Sequence, residues 1–452
     1  MRRGYLLGKR DSPYPTRNTK PDRDDRRLFT DEHDAPPTVS APPYTVKELR
    51  EWGKGNIRLS DDPSMSAKVN LHDLGLFQRL VFRNIRVGTV QVSVLLDSAV
   101  LSLLPTRFSS PPTPLENAIE FRSAGANGMG VFATRDIRPA ALIHVEHPTT
   151  VTQNTLVLNF GMTRVEVYRE LFQRVPEQTL PSLLDLCNSQ PDEMAIEEAI
   201  LRSNAIAIKL PSPAVPGSLA MGHNAIFLRT SRLNHSCSPN AFHRFDPQTF
   251  ALTVHTICPI AKGEEIVHSY IDLTSATTRE ARRSLLRDLC HFECTCNRCA
   301  LSDPAAVLQS DERRQKIHDM TRETVLAPLE AWYRGHGRAD LKTVIAFHLA
   351  AVEEMRIEGL YHYQYQLHIS QLAVCYAAIE DIRSFRLWMG RARDIAVRNL
   401  AADEAADMLR FIVYPETFSA WGWARKNTST VSPPPTETST TCLVPRMINS
   451  KA

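Results

Sequence analysis

Two short tracts constrain this chain more than anything else in it: RLNHSCSPN at residues 232 to 240 and CTCNRC at 294 to 299. The thiols of Cys294, Cys296 and Cys299 are too close together to be the ordinary scatter of a rare, reactive residue. Three thiolates at that spacing suit a tetrahedral zinc ion, and a structural zinc site needs a fourth ligand. The remaining candidates are Cys187, Cys237, Cys258, Cys290, Cys375, Cys442 and the nearby His291. Spacing alone does not choose among them.

Nine cysteines, an odd number, do not read as a disulfide framework. The opening MRRGYLLGKRDSPYP is basic but has no apolar stretch of signal-peptide length, so secretion is not expected. A reducing compartment, cytoplasm or nucleus, is the expectation. The run VGTVQVSVLLDSAVLSLL at 87 to 104 carries Gln91, Asp97 and several serines. A membrane span needs about 20 cleaner residues, so no membrane association is expected. A net charge of +3 over 452 residues is too mild to argue for a nucleic-acid footprint on its own and says little about partners; no direct contact with nucleic acid is expected.

A chain of this length, 43% hydrophobic, can bury the cores of two or three domains. Residues 1–115 read as an N-terminal extension: the first 60 mix Arg, Lys, Asp, Pro and Ser with few aliphatics. Between 61 and 104 the sequence allows either an element packed on the following domain or a stretch without a fold of its own. The breaker cluster FSSPPTP sets the expected boundary near 115. From 119 short apolar runs alternate with Gly and Pro, predicting strands and tight turns. Helical spacing in VYRELFQRV and SLLDLC predicts an insert at about 160–205. Strands return in AFHRFDPQTFALTVHTICPIAKGEEIVHSYIDL, where Phe250, Leu252, Val254 and Thr256 are predicted to share one face. The fold class is α+β, with a β-rich domain at 116–275 and a cysteine-bearing segment at 276–300.

Residues 301–425 are predicted to form an α-helical region. Periodic stretches at 311–333, 340–357, 361–379, 381–399 and 403–413 are joined by short links, as in bundles or tetratricopeptide-like arrays. No clean 34-residue repeat is visible. Residues 426–452 read as a low-complexity tail. Cys258 in a strand-like run and Cys187 on a helical face read as buried free thiols.

The stretches ANGMGVFAT, RSNAIAI, SRLNHSCSPNAF, GEEIVHSYIDL and RRSLLRDLCHFECTCNRC resemble, in order and spacing, the SET-domain lysine methyltransferases. The last two look most like the SMYD-type branch, and the resemblance covers 119 to 300 closely. It implies a β-rich SET fold with a helical insert and a post-SET zinc segment. It also implies one zinc ion held by Cys237, Cys294, Cys296 and Cys299, with His235 as an alternative ligand. Zinc there would draw the post-SET segment onto the Asn234-His235 tract. The implied chemistry moves a methyl group from the sulfonium of S-adenosyl-L-methionine to a lysine ε-amine. That amine must arrive neutral although free lysine titrates at about 10.4, so an apolar channel that disfavours the ammonium is required.

The same resemblance distributes the roles. Asn127, Gly128, Met129 and Gly130 match a strand-turn tract whose backbone approaches the cofactor, where missing side chains permit close contact. Asn204 aligns with an Asn lying against the cofactor; the plain alternative is a polar residue in a turn. Asn234 and His235 match residues that hold the cofactor's amino-acid and adenine portions. Tyr270 aligns with the catalytic tyrosine and Phe292 with an aromatic near the adenine; core packing is the alternative for both. Two departures stand out: Cys290 occupies a position where SMYD-type chains carry an aromatic hydroxyl, and no Cys/His-rich MYND module interrupts residues 140 to 200. The partner implied is a histone or non-histone protein presenting a target lysine, and a monomer is expected. The competing expectation is a catalytically impaired SET-fold scaffold that binds partners through its helical region.

Overall fold

The computed structural model describes residues 80–153, 162–213, 219–335, 340–361, 363–399 and 402–427. The N-terminal extension up to 79, the tail beyond 427 and Cys442 lie outside the described residues.

Sheet structure begins at Leu80, ahead of the expected boundary near 115. Strands β1 (Leu80–Val87) and β2 (Val90–Asp97) form an antiparallel hairpin in which Val87 pairs with Val90. Gly88, at φ 60°, takes the first position of the two-residue loop, where a side chain would be strained. The six residues Val92 to Asp97 are buried in succession. That continuous apolar run is the mark of a strand covered on both faces. Asp97 then caps helix α1 (Ser98–Leu103), its side chain accepting from the backbone N–H of Ala99 at 2.6 Å. The stretch left open by the sequence is, from Leu80 onward, an element packed on the domain. The FSSPPTP breaker is a link inside that domain, since Phe108 packs on Phe250 with ring centres 5.1 Å apart. Among the described residues no helix is long and apolar enough to cross a membrane.

Three sheets enclose the main core. Strands β3 (Ile119–Ser123), β4 (Met129–Ala133), β5 (Leu142–Glu146) and β6 (Thr150–Gln153) are followed by β7 (Ile206–Pro211) and β8 (Leu219–Ile226). Strands β9 (Asn234–His235), β10 (Ala241–Asp246), β11 (Ala251–Thr256) and β12 (Glu265–His268) complete the set. The orders are β1-β2-β6-β8-β7, β10-β11-β5 and β3-β4-β12-β9. All six residues of β11 are buried. The single buried face expected for Leu252, Val254 and Thr256 is therefore matched by a second, because the strand is central in its sheet and covered on both sides. Val92, Val94, Ile143, Phe227, Leu252 and Ile266 belong to one apolar cluster that joins the sheets.

The insert is helical as expected: α2 (Arg164–Gln173), α3 (Leu180–Leu184) and α4 (Ile196–Asn204). Thr163 and Glu166 close a reciprocal capping box on α2. Cys187 lies after α3 and is exposed, contrary to the buried helical thiol expected of it.

After β12 the chain is helical: α5 (Arg279–Cys290), α6 (Pro304–His318), α7 (Arg322–Tyr333), α8 (Leu341–Glu358), α9 (Tyr363–Ala378), α10 (Ile382–Arg398), α11 (Ala402–Val413) and α12 (Trp423–Asn427). The stretch read as one period at 311–333 is two helices. Thr321 ends the continuity by capping α7, its hydroxyl accepting from the Thr324 N–H. Leu367, Leu372, Phe385 and Trp388 lie in the core of this region, with Phe385 against Phe418 and Trp421.

Candidate functional site

Two adjacent strands bring the dense tracts together. Asn234 and His235 of β9 pair in parallel with Val267 and His268 of β12, so the Asn-His-Ser-Cys tract lies beside the strand that leads into Tyr270. Helix α5 carries the chain away and ends at His291, whose left-handed backbone at φ 59° turns residues 292–299 back toward Cys237. Leu286 on the buried face of α5 packs among Cys237, Cys294 and Cys299.

The sulfurs of Cys237, Cys294, Cys296 and Cys299 lie within 4.8 Å of one another. Cys237 Sγ is 3.6 Å from Cys299 Sγ and 4.0 Å from Cys294 Sγ. Four sulfurs at the usual zinc distance in a tetrahedron stand about 3.8 Å apart, so the donor set fits a zinc ion in both chemistry and size. The Cys237 N–H also donates to Cys296 Sγ at 3.4 Å. Hydrogen bonding with Cys294 raises the Cys237 thiol, while bonding with Cys237 lowers those of Cys296 and Cys299. His235 is outside the quartet and against it, with Nε2 3.3 Å from Cys237 Sγ. Cys187, Cys258, Cys290 and Cys375 are free thiols outside it, Cys290 packing against the same cluster, and His291 is not part of it.

Beside the quartet sits an aromatic cluster. The ring centres of His235 and Tyr270 are 5.4 Å apart, those of His235 and Phe292 6.1 Å, and those of Tyr270 and Phe292 6.2 Å. His268 packs on Tyr270 at 5.0 Å and edge-on against His243 at 5.0 Å. The Tyr270 backbone N–H donates to His235 Nδ1 at 3.0 Å, and its hydroxyl donates to the Leu233 carbonyl at 2.8 Å. Tyr270 is 40% exposed, so the ring offers a face to solvent while its hydroxyl turns inward. Burial raises the Tyr270 phenol and lowers His235 to about 4 and His243 to about 4. The site is accordingly walled by neutral rings.

Asn234 links this cluster to the glycine tract. Its side-chain amide donates to the Met129 carbonyl at 3.2 Å and to Glu265 Oε1 at 2.7 Å. Gly130 is held close: a Cβ there would meet Glu265 Oε1 at 2.6 Å and Phe132 at 3.0 Å. Gly128, at φ 77°, faces open space, with nothing within 4 Å of where its Cβ would be. Asn127 and Met129 are exposed on the same turn. An open, side-chain-free backbone beside an aromatic shelf is the form of a cradle for a small ligand.

Asn204 stands differently. Both hydrogens of its side-chain amide are engaged, to the Cys187 carbonyl at 2.7 Å and the Ile200 carbonyl at 2.8 Å, and it is buried at the end of α4. Its own carbonyl accepts from Ser231 Oγ at 2.8 Å. The side chain therefore ties the insert to itself, and the backbone carbonyl joins it to the approach of the Asn234 tract. Sequence reasoning missed Glu265 and the Leu233 carbonyl, which fix Asn234 and Tyr270 respectively. Glu265 lies in the same GEEIVHSY stretch as Tyr270, which is the signal that could have found it.

Residues 128–271 match the SET domain family. The chain is 30% identical over 192 residues to the histone-lysine N-methyltransferase set5 of Schizosaccharomyces pombe, covering 42% of this chain and 53% of that protein. It is 36% identical over 91 residues to the protein-lysine N-trimethyltransferase SMYD5 of Danio rerio, covering 20% of this chain and 22% of that one. It is 36% identical over 104 residues to the N-lysine methyltransferase SMYD2-B of Danio rerio, covering 22% and 23%. The matches span about half the length of the first of these relatives and under a quarter of the other two.

Proposed function

We propose that this chain, which carries a SET domain at residues 128–271, is a protein-lysine N-methyltransferase that uses S-adenosyl-L-methionine and holds one structural zinc ion. The carrying observation is the position of Asn234 and His235. One side chain reaches the glycine tract, and the other touches both Tyr270 and Cys237. When bound, the cofactor supplies an electrophilic methyl group on a sulfonium.

The remaining work falls to the chain's own residues. Gly128, Met129 and Gly130 present backbone to the donor, and His235 and Phe292 give it an aromatic shelf. Because the Tyr270 hydroxyl donates to the Leu233 carbonyl, its oxygen keeps lone pairs for an N–H of the incoming lysine amine. That contact orients the neutral amine, and alignment supplies much of the rate in such a displacement. The neutral rings of His235, His268 and Phe292 disfavour an ammonium in the channel. The Cys237, Cys294, Cys296 and Cys299 quartet would hold the zinc ion and keep Phe292 against His235. The substrate is a protein lysine, on a histone or another protein, in the nucleus or cytoplasm.

The test is transfer of labelled methyl to mixed cellular protein by the purified chain, with cofactor binding followed by calorimetry. Binding and label transfer are expected; a chain that does neither overturns the reading. A second reading, a SET-fold scaffold without turnover, has one observation in its favour. Cys290 stands where an aromatic hydroxyl is usual in SMYD-type chains, and it packs half-exposed on the Cys237 side of the site. Cofactor binding without any transferred label would favour it.

A further inference from the structure

One buried carboxylate joins the helical region to the cysteine quartet. Glu358, the last residue of α8, is fully buried. It accepts from Arg314 Nε at 2.9 Å, Ser310 Oγ at 2.8 Å and Arg313 Nη1 at 3.0 Å. Arg298, inside the Cys-Asn-Arg-Cys turn, places Nε 3.9 Å from the same carboxylate. Arg314 extends the chain of contacts from α6: its Nη2 donates to the Cys237 carbonyl at 2.8 Å and to the Glu358 carbonyl at 2.9 Å. Ser238 Oγ donates to the Glu358 carbonyl at 2.7 Å. Gly359, at φ 69°, lies so close to this loop that a Cβ would come within 2.9 Å of the Ser238 Cα. The end of α8 is thus seated directly on the residue after a metal ligand.

Arg282 Nη1 lies 3.7 Å from Asp311 Oδ1 and Arg314 is paired with Glu358, yet both guanidiniums keep open donors. Arg282 and Arg314 are both buried, and Glu358 is the buried carboxylate between the helices. Nε and Nη2 of Arg282 and Nη1 of Arg314 are without hydrogen-bond partners among the described residues. Arg282 stands one helical turn before Leu286, on the same face of α5, and Leu286 packs among Cys237, Cys294 and Cys299. Unpaired guanidinium donors in a protein interior are costly unless an anion lies nearby. A zinc ion with four thiolates is such an anion, with a formal charge of about −2.

We propose that Arg282 and Arg314 are the counter-charges of the loaded quartet, and that Arg314 with Glu358 forms a latch through which metal loading fixes α6 and the end of α8 against the SET domain. The proposal rests on the metal reading given above but not on catalysis. Cys237 would be held at its carbonyl by a guanidinium that also reaches Ser238 Oγ at 3.5 Å and is anchored in the helical region by Glu358. Loss of the ion would remove the anion that the open donors of Arg282 and Arg314 serve, and the helices would loosen with it.

The experiment uses the full chain and reads zinc and amide hydrogen exchange, with no activity assay. Wild-type protein should carry one zinc per chain. Stripping it with a chelator should speed exchange at residues 304–318 and 352–360 by about tenfold or more, with the α10 core much less affected. Arg314→Met and Glu358→Gln should each lower zinc affinity by roughly tenfold in chelator competition, the usual scale for residues that support metal ligands. Faster exchange confined to residues 291–300 after stripping would overturn the latch while leaving the metal reading intact. So would folded variants with wild-type zinc affinity. A chain that takes up no zinc overturns both. Should a variant fail to fold, the wild-type comparison with and without chelator decides alone.

Discussion

The backbone N–H of Tyr270 donates to Nδ1 of His235, and the opposite nitrogen of the same ring lies 3.3 Å from the sulfur of Cys237. A backbone N–H can only donate, so Nδ1 is the acceptor and the ring proton sits on Nε2, directed at the sulfur. One imidazole therefore fixes the position of the tyrosine on one side and rests on a sulfur of the cysteine quartet on the other. A disturbance of the quartet thus reaches Tyr270 directly through this ring.

Tyr270→Phe removes the hydroxyl bonded to the Leu233 carbonyl but keeps the ring packed on His235, His268 and Phe292. Methyl transfer should fall by about 100-fold or more, the scale seen when one preorganised polar contact to a reacting centre is lost. Cofactor affinity and the melting temperature should stay close to wild type. Unchanged turnover in a labelled-methyl assay would remove Tyr270 from the mechanism.

Cys296→Ser exchanges one sulfur of the quartet for a weaker ligand atom. Zinc measured by atomic emission should drop from about one per chain to a small fraction. Trypsin should then cut at Arg287 and Arg298, which in the loaded protein lie in a segment held at both ends. Full metal content in the variant would show that the ligand set is wrong.

The helical region should lose stability as pH falls. His348 and His368 are fully buried with their Nδ1 atoms 2.8 Å apart, and neither Nε2 has a hydrogen-bond partner among the described residues. Burial lowers His348 to about 3, with His368 adding to the effect, and lowers His368 to about 4. In the unfolded chain both titrate near 6.5. The unfolded state therefore takes up protons first, and their contribution is complete above about pH 6.5 and is lost as pH falls toward 4. The melting temperature should drop by roughly 5 °C or more between pH 7 and pH 5. Replacing both histidines by Leu should flatten that slope, and a wild-type melting temperature that stays level across the window would refute the assignment.

Leu95→Ala tests whether the N-terminal hairpin belongs to the domain. Leu95 is fully buried, pairs in register with Thr152 of β6 and packs against Val167 and Leu171 of α2. The loss should be about 2–5 kcal/mol by denaturant titration. A loss under about 0.5 kcal/mol would mean that the hairpin is peripheral.

How much was legible in the sequence varied with the kind of signal. The cysteine trio and the tracts around Cys237 and Tyr270 stand out as rare residue types in short arrangements, while the grouping of Cys237 with the trio came from the resemblance and not from spacing. Helices α8 to α11 were readable because their apolar residues recur at helical spacing. The hairpin at 80–97 was not, because a strand buried on both faces reads as an unbroken apolar run, which periodicity alone cannot assign. The break between α6 and α7 depends on Thr321 acting as a cap within a continuous periodic pattern. Asn204 was identified by position, but which groups its amide bonds depends on α4 meeting the Cys187 loop, a tertiary fact. The Arg314–Glu358 contact joins residues 44 apart on two helices, and no local pattern announces it.

The hairpin also closes a border. Strand β2 runs parallel to β6 and covers its free side, while β1 beyond it turns the polar side chains of Arg83, Asn84 and Arg86 to solvent. A fragment started at residue 116 would uncover β6, buried along its whole length, as a bare edge with unsatisfied amides and carbonyls. Such an edge recruits a strand from a neighbouring molecule. Charged side chains on an outermost strand work against that pairing.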